Sequence, residues 1–497
     1  MRVPGMQQGS TMREVAKSLK KRVLSRPLLL GLAAAFAVII FIFNVLPSLF
    51  RDPLLERVME AGELVVLTRN SPTTYYQRHD GPAGLEYDLA KGFADQLGVE
   101  LRLVVPSTLN ELLTGVQNGE GHFAAAGLTI TEERKRSFRF TPSYQEITEQ
   151  LIYNRENKRP RTLEEIAPGT LEVVAFSSHV DTLLKHKADH PEIDWVARAE
   201  FESEELLQLV SDNVVEYTIA DSNEFLLNKR FLLNLRSAFD VSEPRQLAWV
   251  FPLSDDETLY AAASAYLERI RTSGELDRLI ERNYGHADNL DYVGTVEFRR
   301  HFSRRLPEYR ELFQQAAESH ALDWHLLAAV GYQESHWRPD AVSPTGVRGI
   351  MMLTQRTARE LGIEDREDPA SSIRGGAEYL AKTLRRIPDD IAEPDRTWMA
   401  LAAYNVGFGH LEDARVITQQ RGMDPHIWLD VKQSLPLLAQ RKWYRNTRFG
   451  YARGWEPVRY VENIRSYYDL LRWLDEVNDI QPEQAEPDAF SILPQVP

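Results

Sequence analysis

Residues 84–105 read GLEYDLAKGFADQLGVELRLVV, and this stretch establishes the pattern of the first half of the chain. Leu85, Leu89, Phe93 and Leu97 recur at helical spacing, and the β-rich run ELRLVV follows them directly. The stretch therefore predicts an amphipathic helix that leads into a strand, which is the repeating unit of an α/β fold.

The same alternation of strands and helices continues to about Gly285. Further β-rich runs are LVVLTR (64–69), LEVVAF (171–176), VEYTIAD (215–221) and RQLAWVFP (245–252). Another helix is predicted after Thr108, a candidate N-cap residue with Glu111 three residues later. Strand–helix–strand units build parallel sheets that are covered on both faces. Two clusters of such units, joined around residues 150–165, predict two α/β lobes with a cleft between them.

The composition excludes several classes of protein. The chain has 497 residues, of which 43% are hydrophobic and 26% are charged, as in folded proteins. At about 150 residues per domain, this length predicts roughly three folded units. The 58 Lys and Arg against 73 Asp and Glu give a formal charge of -15, so we expect no nucleic-acid partner. The absence of cysteine excludes disulfides, thiolate metal sites and cysteine nucleophiles.

Residues 1–50 carry a basic flank followed by an apolar run. The run LLLGLAAAFAVIIFIF (28–43) contains no charge, and six Lys or Arg residues lie between positions 13 and 26. A basic flank before an apolar run is an export signal. The segment is either a cleaved signal peptide, although no Ala-x-Ala site follows it, or a membrane anchor over residues 28–46, which needs about 20 apolar residues. Both alternatives place the rest of the chain outside the cytoplasm.

From Arg305 onward the sequence pattern predicts helices, and it shows no convincing strand. The chain is therefore predicted to be multidomain, with an N-terminal two-lobed α/β body and a C-terminal mainly α body. The predicted segments are the basic flank with its signal or anchor at 1–50, the α/β body at 51–287, a linker at 288–304, the helical body at 305–478 and a disordered tail at 479–497.

A carboxylate lies on the apolar face of one predicted helix, DWHLLAAVGYQESH (323–336). Glu334 follows Leu327 and Val330 by seven and four residues, so the three side chains share a face. An apolar surrounding raises the pKa of a carboxyl and makes it a proton donor near neutral pH. The alternative is that the helix frays at Ser335 and that Glu334 meets water.

The first body resembles the family 3 periplasmic solute-binding proteins, which clamp amino acids between two lobes. The resemblance covers roughly residues 60–285 and rests on residues 84–104 and on AAGLTITEERKRSFRFTPSYQE (125–146), which occur in the family's order. It implies a two-lobed, periplasmic-binding-protein-like fold with a ligand site between the lobes.

The same resemblance implies the residues that bind the ligand. Gly127, Thr129 and Arg134 match the segment that grips the ligand's carboxylate, for which a guanidinium is a bidentate partner. We take Asp221 as the candidate partner of the ligand's amine. The alternatives are that Arg134 is an exposed charge beside Lys135, and that Asp221 is only a turn residue at a strand end.

The second body resembles the family 1 lytic transglycosylases, which have a goose-type lysozyme fold. The resemblance covers about residues 305–475. Its motifs are Glu334-Ser335, Ser343-Pro-Thr-Gly346, Gly349-Ile-Met-Met352, Ala403-Tyr404-Asn405 and a late tyrosine, Tyr460. One departure is Met352, where the family commonly has glutamine. The order of the two bodies also resembles one membrane-bound subfamily of these enzymes.

The resemblance implies cleavage of the β-1,4 bond between N-acetylmuramic acid and N-acetylglucosamine in peptidoglycan without water. Glu334 would act first as acid and then as base, which closes a 1,6-anhydro ring. Tyr460 would orient Glu334. The implied substrate-binding residues are Ser343, Met352, Tyr404 and Asn405, with packing or helix capping as the alternative roles.

The sequence leaves three hypotheses open: a lytic transglycosylase, a glycan-binding envelope sensor, and a hydrolysing lysozyme. A hydrolase needs a second carboxylate, and none has a motif to support it. His320 and His325 lack a third partner, so we expect no metal and no cofactor. An amino acid or muropeptide at the first body is expected to modulate the enzyme. The family resemblance implies a position peripheral to the inner leaflet of the outer membrane.

Overall fold

The computed structural model describes residues 52–78, 81–285, 292–343 and 346–480. The predicted signal or anchor segment therefore lies outside the described residues, as does the tail from residue 481. None of the described helices is both long enough and apolar enough to span a bilayer.

The chain divides into a small and a large unit. In the small unit, helix α1 (Leu54–Ala61) begins at Pro53, and the carboxylate of Asp256 accepts a hydrogen bond of 2.6 Å from the first helical N–H, that of Leu54. The hydroxyl of Thr258 accepts from the next N–H, at 3.1 Å. These two bonds satisfy orphan donors at the start of the helix.

The large unit begins with a lobe built on a five-stranded sheet. The strands, in spatial order, are β4 (Glu100–Val104), β1 (Glu63–Leu67), β5 (Phe123–Ala124), β14 (Val250–Pro252) and β6 (Phe138–Phe140). The helices of this lobe are α2 (Leu85–Leu97), α3 (Leu109–Asn118), α7 (Thr258–Thr272) and α8 (Glu275–Tyr284). β1 is parallel to β4 and β5, whereas β14 is antiparallel to its neighbours. The predicted helix and strand of residues 84–105 are confirmed, and Leu85, Leu89 and Phe93 are buried.

The second lobe contains another five-stranded sheet. Its strands, in spatial order, are β10 (Val196–Arg198), β9 (Leu171–Val174), β11 (Tyr217–Asp221), β8 (Glu149–Asn154) and β12 (Leu235–Asp240). Its helices are α4 (Ser178–Asp189), α5 (Ser203–Ser211) and α6 (Ser222–Asn228). Two-stranded ribbons pair β2 (Tyr76–Arg78) with β3 (Gly81–Ala83), and β7 (Gln145–Ile147) with β13 (Arg245–Leu247).

The run RQLAWVFP was expected to form one strand, and the structure divides it between two sheets. β13 pairs with β7, whereas β14 joins the sheet of the first lobe. Ala248 and Trp249 connect the two strands and are fully buried. The continuous apolar pattern of the run reflects this buried crossing rather than a single strand.

The C-terminal part of the large unit is helical, and its described residues contain no strand longer than an isolated bridge. Its helices are α9 (Tyr292–Arg304), α10 (Leu306–His320), α11 (Trp324–Ser335), α12 (Gln355–Glu360), α13 (Pro369–Leu384), α14 (Asp395–Val406), α15 (Phe408–Gln420), α16 (Trp428–Ser434), α17 (Arg441–Tyr444) and α18 (Trp455–Ile480). A short 3-10 helix of this part is Leu435–Ala439, and the preceding α/β lobes contain the 3-10 helices Arg134–Arg136 and Leu163–Glu165. The long helix α18 packs against α11 and α14.

Two details of the helical part differ from expectation. Most of the segment expected as a linker forms α9, because Phe298 and Phe302 lie on one face and are buried in the helical core. The run RTWMALAAYNVGFGHLEDARVITQQ (396–420) is predicted from its sequence to be one helical segment, but the structure divides it into α14 and α15 at Gly407, whose φ of 91° is favourable only for glycine. The break places the end of α14 at a surface cleft.

Candidate active site

Glu334 lies in the last turn of α11. The helix begins at Asp323, whose carboxylate accepts a 2.8 Å hydrogen bond from the N–H of His325, and ends at His336 in a left-handed conformation. The hydroxyl of Ser335 donates to the carbonyl of Ile350 at 2.8 Å and ties the helix end to the following loop. The alternative of a helix frayed at Ser335 is therefore wrong.

The hydroxyl of Tyr460, on α18, donates to Glu334 Oε1 at 2.5 Å. Burial raises the pKa of Glu334 to about 7, although the hydrogen bond from Tyr460 opposes that rise by stabilising the ionised form. Burial and the nearby Glu334 carboxylate raise the pKa of Tyr460 well above its usual value, so the phenol remains a donor. The pair is a carboxyl that can exchange a proton near neutral pH and a fixed hydrogen-bond donor that orients it.

A surface cavity of about 340 Å³ lies beside Tyr460, and Glu334, the partner of Tyr460, is not among its lining residues. The lining residues are Gln333, Asn405, Trp455, Glu456, Arg459, Tyr460 and Asn463. Asn405 and Tyr460, two of the expected site residues, therefore meet at one cleft. The indole of Trp455 is 46% exposed, which leaves an aromatic face available to a sugar ring.

Tyr404 contacts Met351 through its hydroxyl and Tyr460 through its ring. Its hydroxyl donates to the carbonyl of Met351 at 3.1 Å, and its ring lies nearly parallel to that of Tyr460 with the centroids 6.5 Å apart. Met351 itself is fully buried in the core. Tyr404 thus connects α14, α18 and the Gly-Ile-Met-Met loop, and it is absent from the residues that line the cavity.

Ser343 and Met352 lie in loops away from the lining of the cavity. The hydroxyl of Ser343 accepts a 3.2 Å hydrogen bond from the N–H of Val347, so it closes a loop turn and does not cap a helix. Met352 is half-buried and has a φ of 46°, a left-handed conformation that is costly for a residue with a long side chain.

Several lining residues were missed from the sequence. Glu456 and Asn463 precede and follow Tyr460 by four and three residues, which places them on one face of α18. This spacing identifies Glu456 and Asn463 as neighbours of Tyr460 only when the first residue of α18 is known. Glu456 is the one carboxylate among the residues that line the cavity, and it is exposed and paired with Arg453 at 3.2 Å. Trp455 also lines the cavity.

In the first body, Arg134 is a buried guanidinium and not an exposed charge. It is 8% exposed and donates to the carbonyls of Thr129 at 3.0 Å and Phe176 at 2.9 Å. Burial is the main cause that lowers the pKa of Arg134 to about 10. Lys135 and Arg136, in contrast, form exposed ion pairs with neighbouring glutamates.

All four expected ligand residues of this body line one cavity of about 20 Å³, which is room for about one water. Each already has a protein partner. The N–H of Gly127 donates to Glu86 Oε1 at 2.8 Å, and Thr129 Oγ1 accepts from Ser178 at 3.3 Å. Asp221 Oδ1 lies 3.0 Å from His179 Nε2. The described site is therefore filled by its own side chains.

Arg69, which the sequence reasoning missed, links the two lobes across this cavity. Its guanidinium lies 3.2 Å from Glu202 Oε2 and 2.8 Å from Glu224 Oε1. Arg69 follows β1 of the first lobe, whereas both glutamates belong to the second. These ion pairs join the two lobes beside the cavity.

Two family descriptions match the two bodies. Residues 64–286 match bacterial extracellular solute-binding proteins, family 3, and residues 311–427 match the transglycosylase SLT domain. The fold is accordingly an α/β periplasmic-binding-protein-like body followed by a mainly helical SLT domain. Among solved structures, holo ArgBP from T. maritima is 22% identical, with a TM-score of 0.40, over 46% of this chain and 98% of that chain.

Whole-length relatives carry both bodies. Membrane-bound lytic murein transglycosylase F 1 of Alkalilimnicola ehrlichii is 50% identical over 452 residues, which cover 90% of this chain and 92% of that protein. Membrane-bound lytic murein transglycosylase F of Stutzerimonas stutzeri is 46% identical over 443 residues, which cover 89% and 91%. With these identities over nearly the full length, the chain belongs to the membrane-bound lytic murein transglycosylase F family.

Proposed function

We propose that this protein cleaves the β-1,4 bond between N-acetylmuramic acid and N-acetylglucosamine in peptidoglycan without water and leaves 1,6-anhydromuramic acid ends. The observation that carries the proposal is Glu334, a carboxyl with a pKa of about 7 held by Tyr460 beside a cleft. Such a carboxyl is protonated in a large fraction of molecules at neutral pH and can donate its proton.

The proposed reaction needs only one carboxyl. Glu334 donates its proton to the glycosidic oxygen, the bond to C1 of muramic acid breaks, and an oxocarbenium-like state forms. The ionised Glu334 then removes the proton of the C6 hydroxyl while the C6 oxygen bonds to C1. The carboxyl is restored, and no water is consumed. Tyr460 keeps Glu334 oriented through both steps.

The pH dependence of the reaction follows from the pKa of Glu334. Because the protonated form starts the reaction, kcat/KM should fall as pH rises above about 7.

Tyr460→Phe removes a hydrogen bond that lowers the pKa of Glu334, so the alkaline limb of the pH profile should move to higher pH. Lost orientation should also reduce the rate by about tenfold or more. A pH profile of the rate of muropeptide release measures the position of the alkaline limb and the size of the rate. An alkaline limb at the same pH in Tyr460→Phe as in the unmodified protein would contradict the role assigned to Tyr460.

Trp455 and Asn405 are proposed to bind sugar in the cleft, Trp455 by stacking. Loss of an aromatic contact worth about 1 kcal/mol should raise KM roughly five- to tenfold in Trp455→Ala. The matched control is Tyr451→Ala, because Tyr451 is 55% exposed and does not line the cavity. Steady-state kinetics on sacculi should change KM in the first variant and leave it unchanged in the second.

The first body is proposed to bind a small ligand, an amino acid or muropeptide, and thereby to modulate the enzyme. Gly127, Thr129, Arg134 and Asp221 would hold it. Arg134 supports this proposal, since its two described hydrogen bonds go to carbonyl oxygens and leave the cation without a carboxylate partner among them. Binding would require the lobes to separate and the contacts of Arg69 to exchange. The proposal fails if calorimetry detects no heat with amino acids or muropeptides.

Charged contacts of Glu281, on α8, with Lys432 on α16 and Arg465 on α18 offer a route for such modulation. Glu281 Oε1 lies 2.7 Å from Arg465 Nη1 and 3.0 Å from Lys432 Nζ. Burial acts to raise the pKa of Glu281, but Arg465 and Lys432 outweigh it and lower that pKa. Arg465 belongs to α18, the helix that carries Tyr460.

We expect Glu281→Gln to abolish the effect of the ligand on cleavage without changing its Kd, because a neutral amide cannot compensate two cations. The matched control is Glu275→Gln on the same helix, whose carboxylate pairs with Arg269 near the surface. Calorimetry and muropeptide release, measured on both variants, separate binding from response. A full ligand effect in Glu281→Gln would contradict this route.

The protein is proposed to lie in the bacterial envelope with both bodies on the periplasmic side, peripheral to the inner leaflet of the outer membrane. Retention by residues 28–46 would instead anchor it in the inner membrane. Membrane fractionation together with the mass of the mature N-terminus distinguishes the two positions.

A further inference from the structure

Three side chains of the second lobe form a cluster beside the small cavity. Glu149, His179 and Asp221 are 0%, 5% and 6% exposed. One nitrogen or oxygen atom from each of the three lies within 4.8 Å of the other two. Glu149 begins β8, Asp221 ends β11, and these two residues pair directly across the antiparallel ladder. His179 lies in the first turn of α4. Regular backbone therefore fixes the position of each group.

Two atoms of this cluster have unmet bonding capacity. Glu149 Oε1 and His179 Nδ1 are buried and have no hydrogen-bond partner among the described residues. The Nε of Arg245 lies 3.7 Å from Glu149 Oε1, which is beyond hydrogen-bond distance. A buried polar atom without a partner costs about 1–3 kcal/mol. A cation bound to Glu149 Oε1 would remove that cost for the carboxylate. His179 Nδ1 would not be its ligand, because the nitrogen that faces Asp221 Oδ1, at 3.0 Å, is Nε2.

The donor set fits a divalent transition metal. One imidazole and two carboxylates are ligands of Zn²⁺, and the two carboxylates compensate its charge. Metal–ligand bonds of about 2.0–2.2 Å place tetrahedral ligand atoms about 3.3 Å apart. The separation of 3.0 Å between His179 Nε2 and Asp221 Oδ1 is close to that value. Calcium and magnesium are less suitable because they select sites made of oxygen alone.

The surroundings of the cluster resemble those of an open metal site. The hydroxyl of Thr182 donates to Glu149 Oε2 and orients that carboxylate, as hydrogen bonds to metal-binding side chains do. His179 and Asp221 line the cavity of about 20 Å³, which has room for about one water in a fourth coordination position. A site of three protein ligands and one exchangeable position can accept a carboxylate from a ligand.

We propose that Glu149, His179 and Asp221 bind one Zn²⁺ ion in the solute-binding body. The sequence alone could not identify this site, because its three residues are far apart in the chain and show no ligand spacing. The proposal is independent of the chemistry at Glu334. Under this proposal Asp221 is a zinc ligand and not the partner of a ligand's amine, so the small ligand proposed above would be held by Gly127, Thr129 and Arg134.

The test is zinc binding to the full chain, purified without a polyhistidine tag, stripped with a chelator and dialysed against micromolar Zn²⁺. A second group, Glu297, His301 and His336, has similar spacing and supplies the control. Elemental analysis should find an equivalent of zinc that is lost in His179→Gln and in Glu149→Gln but is kept in His301→Gln. X-ray absorption should then show nitrogen and oxygen ligands that include one imidazole.

Two results would overturn the proposal: no zinc bound by the unmodified chain, or the same zinc content in His179→Gln and Glu149→Gln as in the unmodified chain. Circular dichroism of both variants establishes that they are folded. Because Glu149→Gln keeps the shape of the side chain, it provides the comparison if His179→Gln does not fold. Peptidoglycan cleavage is not the readout, so failure of this proposal and failure of the proposed reaction are separate outcomes.

Discussion

Glu334→Gln should lower the rate of glycan cleavage by about 10²–10⁴-fold or more, the range expected when a general acid is removed. Glutamine retains the shape of the side chain and an oxygen that can accept from Tyr460, but it has no acidic proton to donate. The variant should therefore fold normally and still bind sacculi. Turbidity loss and muropeptide release, measured beside a binding assay, separate lost chemistry from lost affinity.

Glu456→Gln is the matched control for this prediction. Glu456 is the carboxylate that lines the cleft, but it is exposed and its partner is Arg453. Only burial and Tyr460 contribute to the shift in the pKa of Glu334 among the described groups, so Glu456 does not set that pKa. We expect Glu456→Gln to retain most of the rate. A loss as large as that of Glu334→Gln would instead indicate a two-carboxylate, hydrolytic mechanism.

Gly349→Ala should unfold or severely distort the catalytic body. Gly349 has a φ of 84°, and an added Cβ would lie 1.8 Å from the carbonyl oxygen of Arg366 and 2.7 Å from Ser372 Oγ. Both contacts are too short for real atoms, and the first is with a backbone oxygen, which cannot be moved by rotating a side chain. The free energy of unfolding should fall by about 3 kcal/mol or more, at the upper end of overpacking effects. Chemical denaturation of the unmodified protein and of Gly349→Ala measures this difference in the free energy of unfolding.

Gly346→Ala isolates the contribution of the backbone conformation. Gly346 also has a positive φ, 82°, but an added Cβ would meet nothing within 4 Å. Only the left-handed conformation is then penalised, at about 1–2 kcal/mol. If Gly349→Ala were no worse than Gly346→Ala, the close packing of the Gly-Ile-Met-Met loop against Arg366 would be contradicted.

The sequence was most informative where one local pattern determines the structure. The spacing of Leu85, Leu89 and Phe93 predicts α2 because one apolar face must be buried. Glu334 was identified in the same way, since a carboxylate on an apolar helix face is costly unless it has a partner. The partner itself, Tyr460, came from the family resemblance, because its distance along the chain carries no local signal.

Other features depend on contacts that no local pattern reveals. Helix α9 carries enough polar residues to resemble a linker, and only the core around Phe298 accounts for its packing. The ion pairs of Arg69 with Glu202 and Glu224 join residues from different lobes. Predicting their effect, a cavity between the lobes that is already filled by the chain's own charges, requires knowledge of how the two lobes meet.

The most direct test of the central claim is mass spectrometry of the muropeptides released from purified sacculi. The proposed mechanism predicts products one water lighter than reducing-end species, because the C6 hydroxyl of muramic acid replaces water as the nucleophile. These anhydro products should be absent with Glu334→Gln and present with Glu456→Gln. Reducing-end products from the unmodified protein would contradict the mechanism and would make the protein a hydrolase.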